Sequence, residues 1–342
     1  MTTTERGPQP GPDPAADPAP ADAPGPAPAP APVPGPGADV DADPRTCSGS
    51  AAAWAASART VELPLLGPEL TGITADPVGL HHCELPAVAP ADDPAPVLLL
   101  HGWAGSAADW DDVAPALAAD RRVVAYDHRG HGGSAKFGTR DAYTFDLLAA
   151  DLAAFAERVT PGPVHLIGHS MGGLTALRHA LAHPERVRSL VLVSTSPRPS
   201  AAPHVRLLFG FLNLLVRRRG MAPLEGFVRR RFKVPEDIPA ERRARLERQG
   251  RALVGMDPVA FVAFSKAVRK YAPVLDGLDA ITCPVTVVNG ALDIGLRSGA
   301  AQFASRIAGA RVEVVPGAGH SPQTEAPDAW LAAVREHLAR AG

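Results

Sequence analysis

The chain has 342 residues, of which 46% are hydrophobic and 20% are charged, and its net charge at neutral pH is −2. This length allows one large domain or two modest domains with a sizeable core, and the near balance of charge argues against nucleic acid or an acidic polymer as a partner. No apolar run is long enough for a membrane-spanning helix, and the N-terminus lacks the pattern of a secretory signal.

The first part of the chain is dominated by proline. Residues 1–46 hold 14 prolines among Ala, Gly and Asp, and such a segment buries too little apolar surface to offset its ordering entropy. We therefore predict a disordered Pro/Ala-rich tail over residues 1–60. Within it, the stretch AAAWAASA at 51–58 fits either a short helix leading into the fold or a continuation of the tail.

Apolar runs alternate with helical patterns from about residue 61 onward. The runs are short, rich in Val and Leu and without polar alternation, which is typical of strands buried on both faces of a parallel sheet. They are Val97–Leu100, Arg122–Tyr126, Val164–Ile167, Leu190–Val193, Val285–Val288 and Val312–Val315. The helical patterns include Phe145–Val159, Leu174–Ala182 and Asp328–Leu338. This alternation predicts an α/β fold with a doubly wound, mostly parallel sheet.

One interval, residues 197–276, has no strand pattern. It is helical in character and interrupted by prolines, and between Arg198 and Asp276 it carries 17 Lys and Arg against 7 Asp and Glu. We interpret it as a helical cap inserted over the sheet, which divides the core into residues 61–196 and 277–342.

The predicted cap contains the segment HVRLLFGFLNLLVRRRG, an apolar stretch of 12 residues that ends in three arginines. At about 1.5 Å per residue, this stretch is too short to cross a bilayer. Three interpretations remain open. The helix covers a pocket, it makes peripheral contact with a membrane or micelle surface, or its arginines hold a carboxylate or phosphate of the substrate.

The motif GHSMGG places a serine where a strand turns into a helix. The apolar run VHLI precedes Ser170, and the helical pattern LTALRHAL follows it. A turn this tight strains the serine backbone and requires neighbours that are nearly free of side chain, which Gly168 and Gly172 supply. At the carboxyl end of a strand in an open α/β sheet, Ser170 is a candidate nucleophile. Taken alone, the motif also fits an ordinary capped strand-to-helix turn.

A serine nucleophile needs a base, and the base needs an orienting acid. His320 follows the run VEVV, and Asp293 follows the run VTVV, so both lie at predicted carboxyl ends of strands. Taken singly, the histidine also fits a turn and the aspartate a helix cap. The chain order Ser170, Asp293, His320 is the order that a nucleophile-elbow hydrolase requires. Glu325, five residues past His320, is expected to fix the loop of the histidine.

Backbone donors for an oxyanion are predicted in two places. The motif HGWAG directly follows the run VLLL, and Gly102 lets the chain turn so that the N–H of Trp103 faces the site. The second donor is the N–H of Met171, the residue after the nucleophile. Read alone, HGWAG also fits an ordinary turn.

Five motifs together resemble the α/β-hydrolase fold superfamily, from about Val61 to the end of the chain. They are HGWAGSAADW, YDHRGHGGS, GHSMGG, NGALD and PGAGHSP. The resemblance implies a serine hydrolase with Ser170 as nucleophile, His320 as base, Asp293 as acid and the Trp103 and Met171 N–H groups as oxyanion donors. It also implies that a helical cap follows the sixth strand and that Asp127 and Arg129 are structural.

The serine at the nucleophile position predicts an acyl-serine intermediate. Members of the resembled family that hydrolyse haloalkanes or epoxides carry Asp there, and amide specialists usually have an acidic cap. The leading interpretation is therefore an esterase-, lipase- or lactonase-like enzyme that cleaves a small carboxylic ester or lactone with an apolar acyl part. The alternatives are a cofactor-free, haloperoxidase-like perhydrolase and a ligand-binding or signalling protein that retains the fold.

The cysteines bear on location and cofactors. Cys47, Cys83 and Cys283 are too few for a disulfide framework, and none has the spacing of zinc ligands. We therefore expect a cytoplasmic protein that uses no cofactor and no metal ion.

Overall fold

The computed structural model describes residues 49–63, 78–89, 92–93, 95–198, 203–224, 226, 240–271 and 273–342. Most of the predicted tail, together with Cys47, lies outside these residues. The remainder of residues 1–60 differs from the prediction, because Gly49–Ala56 forms a helix in which Trp54 is only 1% exposed. The indole buries a large apolar surface in the core, so the boundary expected at residue 60 is wrong and the fold begins earlier.

Eight strands form one sheet in the order β1-β2-β4-β3-β5-β6-β7-β8. The first two strands are antiparallel to their neighbours, and the other pairs are parallel. The strands are β1 (Arg59–Leu63), β2 (Val78–Leu85), β3 (Val97–Leu100), β4 (Val123–Tyr126), β5 (Val164–His169), β6 (Val187–Val193), β7 (Val285–Gly290) and β8 (Arg311–Val315). All six predicted runs are strands, and β1 and β2 were not predicted.

Helices lie between and after these strands. Among the described residues they are α1 (Gly49–Ala56), α2 (Ala114–Leu117), α3 (Phe145–Val159), α4 (Met171–Ala182), α5 (Pro203–Arg219), α6 (Ala240–Gly255), α7 (Pro258–Lys270), α8 (Arg297–Arg306), α9 (Pro322–Glu325) and α10 (Pro327–Ala341). The three predicted helices are found, and α4 begins directly after Ser170, three residues before its predicted start.

The sheet is covered by apolar side chains on both faces. In β3, Leu98 and Leu100 pack with residues of α3, α4 and α8 on one face, whereas Val97 and Leu99 pack with residues of α1, α2 and α10 on the other. Successive strand residues thus alternate between two buried layers. This arrangement confirms the predicted doubly wound α/β fold.

The parallel register brings several strand ends to the same level. Leu100 of β3 pairs with Gly168 of β5, and Val193 of β6 pairs with both His169 of β5 and Val288 of β7. The loops that leave these strands therefore start side by side at the carboxyl ends of the parallel strands. Ligands bind at these strand ends in open α/β sheets.

Helices α5, α6 and α7, here called the insertion helices, lie between β6 and β7 in the chain. A third buried cluster joins them to the core. In this cluster, Phe261 and Phe264 of α7 pack with Tyr143 and Met171. The limits of 197 and 276 remain a prediction, because residues 199–202, 225, 227–239 and 272 are outside the described ranges.

Asp257 fastens helix α7 to the core. Its carboxylate caps the helix by accepting the Val259 N–H at 2.7 Å, and it also accepts the Gly138 N–H at 3.0 Å and the Tyr143 hydroxyl. The Asp257 N–H donates to the Gly130 carbonyl at 2.8 Å. One buried side chain thus holds the insertion helices against the loop that follows β4.

We predict that Asp257→Ala lowers the free energy of unfolding by about 2–4 kcal/mol, because it removes a helix cap and leaves two donors unpaired. Chemical denaturation measures the loss, and limited proteolysis should cut the insertion helices faster than in the wild type. Asp328→Ala, which changes an exposed aspartate in the first turn of α10, is the matched control. Equal stability of the two variants would contradict the assignment.

Candidate active site

Ser170 occupies a strained corner between β5 and α4. Its backbone has φ of 50° and ψ of −110°, a conformation that non-glycine residues rarely adopt. The turn is tight enough that a Cβ on Gly168 would lie 2.5 Å from the Gly172 carbonyl oxygen. The Ser170 N–H donates to the Val193 carbonyl at 2.8 Å, and Thr195 Oγ1 donates to the Ser170 carbonyl at 3.0 Å. The corner is therefore held from the end of β6.

The structure brings the three predicted relay residues together. His320 Nε2 lies 3.1 Å from Ser170 Oγ, and His320 Nδ1 lies 2.8 Å from Asp293 Oδ2. With Nδ1–H donated to the carboxylate, Nε2 of a neutral imidazole accepts the serine hydroxyl hydrogen. The His320 side chain is 51% exposed, so the ring is open to solvent and to small molecules. This geometry suits proton transfer from the hydroxyl.

The backbone around His320 is fixed by two further side chains. Glu325 accepts the Gly319 N–H at 2.8 Å and the Ser321 N–H at 2.9 Å, which confirms that Glu325 holds this loop. His169 Nε2 lies 2.8 Å from the His320 carbonyl oxygen, to which it donates. Burial, and then His320, lower the pKa of His169 to about 3, so this ring stays neutral at ordinary pH.

The loop after β3 passes directly beside the nucleophile. A Cβ on Gly102 would lie 3.3 Å from the Ser170 Cβ and 2.8 Å from His169 Nδ1, so glycine is required there. Within the described ranges, neither the Trp103 nor the Met171 backbone N–H donates a hydrogen bond to the protein. Met171 opens α4, where the first N–H groups have no partner inside the helix.

The Trp103 side chain links this loop to the insertion helices. Its indole stacks on Phe209 of α5 at 5.0 Å and contacts Phe261 of α7 at 4.5 Å between ring centroids. The indole N–H also donates to the Phe261 carbonyl at 3.3 Å. Sequence reasoning concerned only the Trp103 backbone and missed these contacts, although an aromatic residue in the motif HGWAG was a signal for them.

Asp127 and Arg129 have the structural roles expected of them. Asp127 accepts the Ala107 N–H at 2.6 Å and the Gly133 N–H at 2.8 Å. Burial alone would raise its pKa, but the hydrogen bond from His81 and the charge of that residue lower it to about 2. Arg129 pairs with buried Asp151 at 2.6 Å. The Asp127 contact with Ala107 ties the loop after β4 to the loop after β3, and the Arg129–Asp151 pair ties it to α3.

Comparison with known proteins assigns the family. The sequence model described as alpha/beta hydrolase fold matches residues 95–327 of the chain. The chain belongs to the alpha/beta hydrolase fold family. A Caulobacter protein (strain K31), provisionally named as the carbamate hydrolase RutD, is 32% identical over 254 residues, which are 73% of this α/β hydrolase and 92% of that protein.

Solved structures show the same fold. A thermophilic esterase from Thermogutta terrifontis superposes with a TM-score of 0.68 at 24% identity, covering 83% of this α/β hydrolase and 99% of the esterase. The enol-lactonase from Burkholderia xenovorans LB400 superposes with a TM-score of 0.63, also at 24% identity, covering 77% of this chain and 97% of the lactonase.

A second Ser–His–Asp arrangement lies near the amino ends of β5 and β6, away from Ser170. His165 Nδ1 lies 2.8 Å from Ser189 Oγ, and His165 Nε2 lies 2.9 Å from Asp93 Oδ2. Ser189 also contacts His337 Nε2 at 2.8 Å. Ser189 and His165 are both 0% exposed, so no substrate reaches this hydroxyl. The arrangement is a buried polar network, and burial distinguishes it from the site at Ser170.

For His169 we predict a positioning effect on the neighbouring base. His169→Phe removes the donor to the His320 carbonyl and should slow fluorophosphonate labelling of Ser170 by about tenfold, the usual value of one well-placed hydrogen bond of about 1.4 kcal/mol. His169→Gln keeps a donor and should recover part of the rate. Because the pKa of His169 is about 3, neither variant should move the midpoint of the labelling rate between pH 5 and pH 9. A shifted midpoint would contradict the neutral positioning role.

For the buried network we predict an effect on stability alone. Ser189→Ala leaves one nitrogen each of His165 and His337 unpaired and should cost about 2–4 kcal/mol of unfolding free energy. Labelling at Ser170 should be unchanged in the folded variant. Ser305→Ala, at an exposed serine of α8, is the control for stability. Loss of labelling without loss of stability would make the network part of the reactive site.

Proposed function

We propose that this protein is a serine hydrolase that cleaves a carboxylic ester or lactone through an acyl-serine intermediate. The observation that carries the proposal is the chain of contacts from Ser170 Oγ to His320 Nε2, at 3.1 Å, and from His320 Nδ1 to Asp293, at 2.8 Å. Membership of the α/β hydrolase family supports hydrolysis, and the esterase and lactonase names of its structural relatives support this class of substrate.

In the acylation step, Ser170 Oγ attacks the substrate carbonyl carbon while its proton passes to His320 Nε2. The carbonyl π electrons move to oxygen, and the N–H groups of Trp103 and Met171 stabilise the resulting anion. One such donor contributes about 10² to 10³ in rate. When the tetrahedral intermediate collapses, the alkoxide leaves and takes the proton from His320.

In the deacylation step, water attacks the acyl-serine carbonyl and gives a proton to His320. Collapse of the second intermediate releases the carboxylic acid, and the proton returns to Ser170. Asp293 keeps its hydrogen bond to His320 Nδ1 throughout, which orients the ring and stabilises the imidazolium. No cofactor or metal ion takes part in these steps.

The apolar cluster beside Ser170 supports an apolar acyl part of the substrate. Met171 and Leu174 of α4 pack with Phe261 of α7, and Trp103 lies against the same cluster. The insertion helices belong to the predicted cap, residues 197–276, and they form one side of this apolar cluster. An alkyl chain is better accommodated here than a charged group.

Carbamate hydrolysis is a second candidate. The Caulobacter relative named for that activity matches 73% of this chain. A carbamate presents the same carbonyl to Ser170 and requires the same relay and the same oxyanion donors. The two candidates differ only in the substituent on the carbonyl carbon, so parallel assays on esters and carbamates separate them.

A cytoplasmic location is part of the proposal. Cys83 is buried, Cys283 is partly buried, and both are free thiols. Burial raises the pKa of Cys83 to about 12 and that of Cys283 to about 11, so both thiols remain protonated and unreactive at ordinary pH. Free thiols of this kind suit a reducing compartment.

The decisive experiment is active-site labelling followed by a substrate panel. A fluorophosphonate should modify Ser170, located by mass spectrometry, and p-nitrophenyl esters of increasing chain length should be hydrolysed with a preference for apolar acyl groups. Ser170→Ala and His320→Ala should each lower turnover by at least about 10³-fold, since relay members act as one unit. Ser189→Ala changes the serine of the buried network, and this variant should retain labelling at Ser170.

Hydrolysis that survives in Ser170→Ala would reject the proposal. Absence of both labelling and turnover in a folded wild type would favour a ligand-binding protein. Halide-dependent oxidation in the presence of hydrogen peroxide and a carboxylic acid, at a rate above that of ester hydrolysis, would favour the haloperoxidase-like perhydrolase.

A further inference from the structure

Helix α5 has apolar side chains on its outer side as well as its inner side. On the inner side Val216 is buried, and Asn213 Oδ1 accepts a hydrogen bond from Ser265 of α7 at 2.7 Å. On the outer side Leu207 is 77% exposed, Leu208 45% and Leu214 50%. A helix on the surface of a globular protein usually presents polar residues to water. Packing among the residues that the structure describes therefore does not account for the outer leucines.

Positive charges border this outer leucine face. Helix α5 ends in Arg217, Arg218 and Arg219, all exposed, and the last turns of α7 carry Lys266, Arg269 and Lys270. Lys266 lies near Arg217, whereas Arg269 lies over the Phe209 ring in the first half of α5. Neither helix contains Asp or Glu. Across the described residues, no carboxylate forms an ion pair with any of these six side chains.

The cations lie close enough to affect one another. Burial, followed by the charges of Arg217, Arg140 and Lys270, lowers the pKa of Lys266. Arg218 is four residues after Leu214, and Leu214 is seven residues after Leu207, so the three side chains lie along one side of α5. Leu207, Leu214 and Arg218 thus form one stripe along α5, in which apolar side chains lead to a positive charge.

The chemistry of this surface matches a lipid bilayer with anionic headgroups. None of the described helices has the length and hydropathy needed to pass through a membrane. A helix that lies in the interface places apolar side chains at the headgroup boundary and Lys or Arg on phosphates. Acyl chains have no fixed shape, so they accommodate protruding leucines that a small anionic ligand would leave in water.

We propose that the outer face of α5 docks this protein on an anionic membrane surface, with Leu207, Leu208 and Leu214 at the acyl boundary and Arg217 to Arg219 on lipid phosphates. Docking does not depend on the proposed hydrolase activity. The inner face of the same helix contacts Trp103 through Phe209. A docked protein would therefore hold its apolar cluster near the bilayer, where apolar esters concentrate.

The test is co-sedimentation of the full chain with vesicles of phosphatidylcholine alone and of phosphatidylcholine with about 30% phosphatidylglycerol. The wild type should bind the anionic vesicles at least tenfold more tightly. Because each basic residue near the surface is worth about fivefold in affinity, Arg217→Gln with Arg218→Gln should weaken binding by about 25-fold. Leu207→Gln with Leu214→Gln should weaken it by about tenfold or more.

Two matched controls test the location of the surface. Val88→Gln changes a surface valine that is 83% exposed and lies outside the insertion helices, and Arg158→Gln changes an exposed arginine of α3. Both should bind like the wild type. Because all the altered side chains are exposed, circular dichroism should show every variant folded.

Three results would overturn the proposal. The first is no preference of the wild type for anionic vesicles. The second is unchanged binding of the double leucine variant, which would indicate purely electrostatic adsorption of the kind an acidic protein partner would share. The third is a dimer, measured by light scattering, that the double leucine variant converts to a monomer, because the face would then bind a second copy.

Ser170→Ala separates this proposal from the proposed function. If the variant binds vesicles like the wild type and lacks hydrolysis, both proposals are supported. Retained hydrolysis in the variant rejects the catalytic assignment and leaves docking supported. Loss of vesicle binding in this variant would overturn docking through α5, since Ser170 lies at the start of α4 and not on the outer face of α5.

Discussion

The site depends on one strained turn, in which the chain passes from strand to helix within a single residue. The positive φ at Ser170 costs about 1–3 kcal/mol, and hydrogen bonds from the end of β6 to both sides of this residue offset it. The strain has two consequences for chemistry. It carries the hydroxyl out of the sheet, and it opens a helix at Met171, whose N–H lacks an intrahelical acceptor. A relaxed turn would provide neither.

Neutral histidines fix the loops around this turn. The N–H of Ala104 donates to His131 Nε2, the N–H of His128 donates to His101 Nε2, and His169 donates to the His320 carbonyl. Burial lowers the pKa of all these rings, to about 3 for His131 and His169, so each keeps one donor and one acceptor. Unfolded histidines take up protons near pH 6.5. Stability supplied by these rings is therefore full above that pH and is lost as the pH falls from about 6.5 toward 3.

Much of the fold, and the proximity of Ser170, Asp293 and His320, could be predicted from sequence, because a doubly buried strand is a plain apolar run and its end is marked by glycine. Strands β1 and β2 were not predicted because neither is a plain apolar run. Strand β1 is the antiparallel edge strand, and in β2, which lies between β1 and β4, residues such as His81 and Glu84 interrupt the apolar pattern. The roles of His169 and Asp257 could not be predicted, since each depends on a partner more than 100 residues away. The sequence also gives no sign that Ser189 is buried with its own histidine.

The insertion helices act on the predicted oxyanion donor without touching its N–H. Gly102, the residue before Trp103, lies beside Ser170, while the Trp103 indole packs against Phe209 and Phe261. A backbone donor cannot be removed by changing its own side chain, but it can be displaced when the indole moves. If the Trp103 N–H serves as the proposed oxyanion donor, residues on the inner side of α5 and α7 influence catalysis through the position of the indole. The exposed leucines on the outer side of α5 can change independently of the indole, and this separation would allow one helix to serve both the site and the proposed docking surface.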